Sequence, residues 1–429
     1  MKPPNNMIST VPIPGHRSAL TLLLAAFTLS ITDRMILSIL FPNIKAEFGV
    51  SDTQLGLLGG LSFALFYATM GLPIARLADQ RSRKWIVIAS LLTFSAMTTL
   101  SSLSVGFLML LLLRLGVGIG EAGVNPASHS MLADYFPPHR RAFAMATLML
   151  GASLGVMLGF IWGGFVAERF GWRAALLSVG LPGLALAAAM ARWLKEPARG
   201  SFETSVPGPA PAILQTARWM WSDLAMRHLV AGSVVMGMVT YGLTQWVPTF
   251  LIRTHGLTQS KAGLLMAGVF GILGAVGALA SGKLFDHLSQ KGYERGMWMI
   301  VLVMVVSLPF AVTGFSSDDL KTALIFLIIP GFTSNFFLGP TIAMVQTLSP
   351  VPMRAVAAAV KMLCLNLIGL GLGPLIVGGL SDALGAKHGD NALQISLTYF
   401  LFVGLWGAVH FGLCARELAK RTKKADLNG

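Results

Sequence analysis

Charge is scarce in this chain. Of its 429 residues only 12% are Asp, Glu, Lys or Arg, against about a quarter in soluble domains. Carboxylates are the rarer sign, 18 against 32 basic side chains. Cysteine is almost missing: Cys364 and Cys414 stand 50 residues apart in apolar stretches. That excludes a disulfide framework and a cysteine-ligated metal site, and both are read as packing residues. There is no zinc-protease helix, no phosphate-binding loop with GK[ST] and no serine elbow, and the histidines are scattered, so neither a catalytic site nor a metal site is expected. Residues 1–17 hold Pro3, Pro4, Pro12 and Pro14 but no apolar core and no separate cleavage region. The first apolar run therefore reads as an uncleaved anchor.

Long apolar runs are what the chain has instead. Hydrophobic residues make up 54%, and mean hydropathy is +0.70. About 20 apolar residues cross the hydrocarbon layer as a helix. Twelve such spans are predicted, near 18–43, 53–76, 84–105, 107–133, 141–166 and 173–194, then 227–252, 261–284, 296–315, 320–347, 354–380 and 393–416. The domain plan is a tail (1–17), a first six-helix bundle (18–194), a linker (195–226), a second bundle (227–416) and a basic tail (417–429). The linker contains "EPARGSFETSVPGPAP", a composition suited to a flexible connection. Its end, 213–226, carries Trp219 and Trp221 and reads as a short helix at the membrane boundary.

The net charge of +14 would suggest nucleic acid in a soluble protein. Here its placement points to topology. With the N-terminus inside, the inner segments hold 22 Lys and Arg and the outer segments 7. The bias puts both termini in the cytoplasm of a multi-pass inner-membrane protein. The partner is the bilayer, with no nucleic acid expected.

The halves repeat. "TQLGLL" (53–58) matches "SKAGLL" (260–265), and "ARLAD" (75–79) matches "GKLFD" (282–286), at one offset of 207. An offset of 214 takes Pro126 to Pro340, Pro138 to Pro352, Arg140 to Arg354, Gly159 to Gly373, Gly164 to Gly378 and Gly171 to Gly385. Parallel six-helix halves related by an axis along the membrane normal follow, with a site expected near the midplane between them.

Charged residues interrupt three of the spans. In the fourth, Arg114, Gly118, Glu121 and Asn125 recur at helical spacing, which places them on one face. An unpaired charge at that depth costs roughly 2.5–3.5 kcal/mol. Glu121 lies near the midplane; Arg114 lies further out and can either pair or snorkel. In the first span Asp33 and Arg34 are adjacent and point about 100° apart. If the two spans adjoin, Arg34 reaches Glu121, and Asp33 faces either the outer cavity or Arg114. In the eleventh, Lys361 either snorkels to the interface or faces the cavity and binds an anionic head group, with Asn335 and Asn366 at similar depth. Phe63 and Tyr67, Tyr241 and Gln245 are further cavity candidates, each also explicable by packing. An oily cavity with a few charges suits a small amphiphilic or anionic substrate.

The chain resembles the major facilitator superfamily over essentially its whole length. "ARLADQRSRK" (75–84) resembles the signature loop between helices 2 and 3, with Ala75 and Ser82 in place of glycines. "RLGVGIGEA" (114–122) resembles the arginine-glycine motif of helix 4. "GFIWGG" (159–164) and "GPLIVGG" (373–379) resemble the glycine-proline motif, Phe160 replacing the first proline. "TDRMILSILFPNIKAEFGVSDTQLGLLGG", "GIGEAGVNPASHSMLADYFPPHRRA" and "FGWRAAL" are similar to the spinster branch.

The resemblance implies an all-α membrane protein with the major facilitator fold. It implies a monomeric, alternating-access secondary transporter that needs no cofactor beyond a coupling proton. Characterised relatives move lysophospholipids or sphingoid phosphates; related branches carry sugar phosphates, organic acids or drugs. It makes Asp33 and Glu121 the proton acceptors, and Arg34 and Arg114 their charge partners. It also implies gates at the cytoplasmic side. Asp79, in the loop with Arg83, would meet the start of helix 11 near Arg354. Asp286 would meet helix 5 around Arg140 and Arg141, and Asp134 would pair with those arginines.

Overall fold

The computed structural model describes residues 11–202 and 212–428. The first ten residues of the expected tail and the linker centre, 203–211, lie outside the described residues. Among those described there is no strand, and ten helical stretches are long and apolar enough to cross a membrane. Two of the ten each contain two crossings. Pro138–Trp193 is 56 residues long and turns at Gly171, where φ is 84°, a left-handed angle that glycine adopts without steric cost. Val351–Lys423 is 73 residues long and turns at Gly389–Asn391.

The twelve crossings are α1 (His16–Phe48), α2 (Asp52–Gln80), α3 (Arg83–Ser101), α4 (Phe107–Tyr135), α5 (138–170), α6 (171–193), α7 (Leu224–Arg253), α8 (Gln259–Ser289), α9 (Tyr293–Ser316), α10 (Leu320–Leu348), α11 (354–388) and α12 (392–428). The face carrying the start of α1 and the end of α12 is called the terminal face, its opposite the distal face. α12 continues to Asn428, past the expected bundle end at 416. Its last turns are rich in helix-forming Ala, Lys, Arg and Glu, and Arg421 ties it to Asp223 at 2.8 Å.

The repeat is visible in the backbone. α4 breaks after Glu121 and resumes at Val124; α10 breaks after Thr333 and resumes at Leu338. Pro126 and Pro340 each sit just past the break, where a proline ring would clash with the carbonyl four residues back. α2 and α8 each contain a wide π turn, Leu57–Leu61 and Ala267–Leu273, the first starting within its matched "GLL" segment and the second just after its own. α11 has a third at Leu365–Leu370. Such turns often mark functional positions.

One apolar cluster bridges the halves toward the distal face, from Phe41, Ile44 and Leu55 to Trp246, Phe250 and Val377. Phe41 and Trp246 meet there, ring centres 5.2 Å apart. Toward the terminal face each half is built around a separate cluster, with Leu370 and Tyr241 of the second half also touching that of the first. The molecule is therefore joined at its distal face.

The start of the linker is docked rather than free. Glu196 accepts from Arg83 Nε at 2.9 Å, Ser82 Oγ at 2.8 Å and the Lys84 amide at 2.7 Å. Arg83 Nη2 donates to the Pro197 carbonyl at 2.9 Å, and Tyr135 Oη to that of Lys195 at 2.6 Å. Arg199 reaches the carbonyls of Ala78 and Arg81. The "EPARG" run thus straps the ends of α2, α4 and α6 together; composition alone does not reveal that its charges have fixed partners. Ile213–Ser222 forms the expected short helix, with Trp221 exposed and under the Arg227 guanidinium.

Candidate functional site: a double ion pair between α1 and α4

α4 approaches α2 and α3 closely because it lacks side chains where they touch. A Cβ on Gly118 would lie 2.7 Å from the Phe63 carbonyl, and one on Gly120 2.5 Å from the Phe94 nitrogen. This brings the charged residues of α4 against α1. Arg34 Nη2 donates to Glu121 Oε2 at 2.7 Å, and Ser30 Oγ donates to the same oxygen at 2.8 Å. Arg114 Nη1 donates to Asp33 Oδ2 at 2.9 Å, and Thr98 Oγ1 from α3 donates to Asp33 Oδ1. Asp33 is 0% exposed, Arg114 and Glu121 1%, Arg34 8%.

The pairs differ in character. Asp33 has a partner on both oxygens and is sealed. Glu121 uses one oxygen twice, while Oε1 is buried without a hydrogen-bond partner. Arg34 is flanked by stacked aromatic rings: its guanidinium lies 4.4 Å from the centre of Phe63 and 4.9 Å from that of Tyr67. Two buried ions cost several kcal/mol each unless paired and hydrogen-bonded. The Arg34–Glu121 pair is the less satisfied and the more accessible, so it is the one able to exchange partners.

The two sequence alternatives resolve simply: Asp33 meets Arg114, and Arg114 does not snorkel. Ser30 and Thr98 were missed. Their hydroxyls are unremarkable in an apolar helix until α1, α3 and α4 are packed together. Asn125 lies past the break in α4, half-buried, with a buried Oδ1 that lacks a partner.

Candidates in the second half are dispersed. Tyr241 packs against clusters of both halves. Gln245 is buried and donates to the Gly59 carbonyl in the π turn of α2 at 2.8 Å, so it ties the halves together instead of lining open space. Asn335 sits in the break of α10 beside Gly274 of α8, and Asn366 in the π turn of α11, half-buried. Lys361 neither snorkels nor opens onto a cavity. It is 1% exposed and donates to Thr341 Oγ1 at 3.1 Å. Among the described residues it is in no ion pair.

Of the gate residues, Asp79, Asp286, Arg140 and Arg354 are exposed at the terminal face, and among the described residues none is in an ion pair across the halves. Asp134 meets Arg83, not Arg140 or Arg141. Arg83 is itself buried within the first half, because the docked "EPARG" strap draws it inward. Ties across the halves lie at the distal face, where Arg253 of α7 holds both oxygens of Asp52 at 2.9–3.0 Å.

Twelve crossings in two like halves, joined at one face and holding buried ion pairs at mid-depth, define a membrane transporter and not an enzyme. The chain belongs to the Major Facilitator Superfamily, whose model matches residues 22–374. It is 31% identical to an MFS-type efflux pump of Mycolicibacterium smegmatis, over 90% of each chain. It is 26% identical to Protein spinster homolog 1 of Xenopus laevis, over 93% of this chain and 80% of that one. A crystal structure of a bacterial homologue of the human lysosomal transporter Spinster, inward-facing and unoccupied, superposes with a TM-score of 0.86 at 26% identity. That match covers 96% of this chain and 99% of the other.

Proposed function

We propose that the protein carries an amphiphilic anion, such as a lysophospholipid, across the inner membrane by alternating access coupled to protons. The observation that carries this reading is the half-satisfied Glu121 beside an aromatic-flanked Arg34. With Glu121 ionised, Arg34 is neutralised by it. With Glu121 protonated, Arg34 is left uncompensated in a low-dielectric site and takes an anionic head group instead. Charge balance then loads proton and anion together. Asp33 and Arg114 form the second proton-linked pair, which opens only when α1 and α4 move apart.

An apolar tail has a place in the second half. A cavity of about 100 Å³ lies between α7, α8, α9, α10 and α12, walled by Leu243, Met266, Phe270, Leu308, Phe315 and Leu327 among others. Phe63, Tyr67, Asn125, Tyr241 and Asn366 are assigned to the path between head-group and tail sites. Lys361 is assigned as a second basic contact, reached when α11 shifts. The protein works as a monomer in the bilayer with no cofactor, both termini in the cytoplasm, so the terminal face is the cytoplasmic one.

The test is substrate-driven proton movement in proteoliposomes, with lysophospholipid and a sugar phosphate compared. Lysolipid-dependent flux that is absent in Glu121→Gln supports the reading. Unchanged pH-driven transport in both Asp33→Asn and Glu121→Gln sinks the proton relay. The efflux pump at 31% identity favours a second reading, export of apolar drugs into the same cavity. Proton flux driven by a hydrophobic dye and not by lysolipid would select it.

A further inference from the structure

At the distal face two carboxylates cap helices of the opposite half. In α11, Asp382 Oδ1 accepts the Asp52 amide of α2 at 2.9 Å, and its Oδ2 accepts the Thr53 amide at 2.7 Å. In α5, Glu168 Oε2 accepts the Ser260 amide of α8 at 2.8 Å. These contacts are one device built twice. The offset of 207 takes Thr53 to Ser260, and the offset of 214 takes Glu168 to Asp382.

The supporting packing is duplicated too. A Cβ on Gly56 would lie 2.4 Å from the Pro374 carbonyl, and one on the matched Gly263 2.1 Å from that of Phe160. Gly378 approaches the Asp52 carbonyl as its match, Gly164, approaches that of Gln259. So each carboxylate sits above a seam where two backbones touch.

Neither helix needs the foreign carboxylate to begin. Ser51 already forms a reciprocal capping box with Gln54 on α2, and Thr258 takes the Lys261 amide on α8. What remains in each first turn are amides with no partner inside the helix. Those donors go to Asp382 and Glu168. A local cap survives separation of the halves; these two do not. Both carboxylates are exposed, so separation returns them to water.

We propose that Glu168 and Asp382 are paired latches that hold the distal face shut and set the balance between the two access states. They join α2 to α11 and α5 to α8. Those are the helix pairs whose opposite ends carry Asp79 and Asp286, exposed and unlatched here. Each helix pair thus has a carboxylate latch at either end, and only the distal ones are engaged. The inference rests on the alternating-access reading.

Spin-label distance measurements on the full-length protein test it, with Cys364 and Cys414 replaced by alanine. One label pair, Val105 and Lys321, spans the distal face; another, His139 and Lys291, spans the terminal face. Glu168→Ala/Asp382→Ala should raise the distal-open population at least threefold, lengthening the first distance and shortening the second. Each single variant should fall between the double variant and wild type, and Asp382→Glu should restore the wild-type distribution. If the double variant is poorly folded, Glu168→Gln/Asp382→Asn keeps the shape and should give a smaller shift of the same sign. Double-variant distributions equal to wild type, while wild type itself responds to lysolipid or pH, overturn the latches alone. Wild-type distances that respond to neither overturn alternating access, and the latches with it.

Discussion

Arg34 donates to Oε2 of Glu121 at 2.7 Å while Oε1 of the same carboxylate is buried with no hydrogen-bond partner. A carboxylate bonded on one side only has acceptor capacity left over on the other. Glu121→Gln keeps the shape but strands Arg34 among Phe63 and Tyr67. Removing one member of a buried pair costs about 3–5 kcal/mol. The variant should melt earlier in a detergent thermal-shift assay and lose proton flux in proteoliposomes. Adding Arg34→Gln should recover most of the stability and none of the flux. Recovery of flux in the double variant would contradict the assigned role.

Thr98 and Asp33 provide a separate check on the sealed pair. Thr98→Val removes a hydroxyl donated to a buried carboxylate. Hydrogen bonds to charged groups contribute about 1.5–3 kcal/mol. Stability should drop by that order in equilibrium unfolding. A loss below about 0.5 kcal/mol, the low end for a neutral hydrogen bond, would mean that Thr98 does not support the Asp33–Arg114 pair.

Lys361 is a buried cation whose described partner is one hydroxyl. Lys361→Met keeps the chain length roughly and removes a group that is costly to enclose. The melting temperature should stay level or rise, while uptake of an anionic amphiphile falls. Full transport in a stable Lys361→Met protein would remove Lys361 from the substrate path.

The strap at the terminal face carries a pH dependence of known sign. Burial raises the Glu196 pKa, but the Lys84 amide, Arg83 and Ser82 outweigh it and hold the carboxyl below its usual range. A carboxyl depressed in the folded state contributes above its unfolded value of about 4.3, and the contribution disappears as pH falls through the folded value. The protection of amides in residues 195–202, exchange rate relative to the intrinsic rate at the same pH, should therefore fall on acidification below about pH 4.3. Glu196→Gln should show the lower protection already at pH 7 and little further change in it with acid. Acid-insensitive protection in wild type would refute the clasp.

Asp79 stands exposed at the end of α2 and, among the described residues, is in no ion pair. Asp79→Asn should further favour the form joined at the distal face, the opposite sign to loss of Glu168 and Asp382. Label pairs on the two faces would register it, and a shift toward distal opening would count against a gate at Asp79.

The crossings, the two halves and the charged stripe of α4 are legible in the residues alone. All three are local or periodic: a span is a run of apolar residues, a repeat is an offset, and a helix face follows from 3.6 residues per turn. The sequence offers Glu121 as a partner for Arg34 only on the condition that the first and fourth spans adjoin, which the packing supplies. Which neighbour each remaining group meets is a matter of packing. Ser30 and Thr98 become ligands of carboxylates because three helices converge on them. Arg83 turns inward because residues far along the chain, Asp134 and Glu196, accept its hydrogens. Asp382 and Glu168 become latches because glycines let α2 and α8 press against α11 and α5. Hydrogen-bond partners are fixed by packing over about 3 Å, and spacing along one chain carries no record of that.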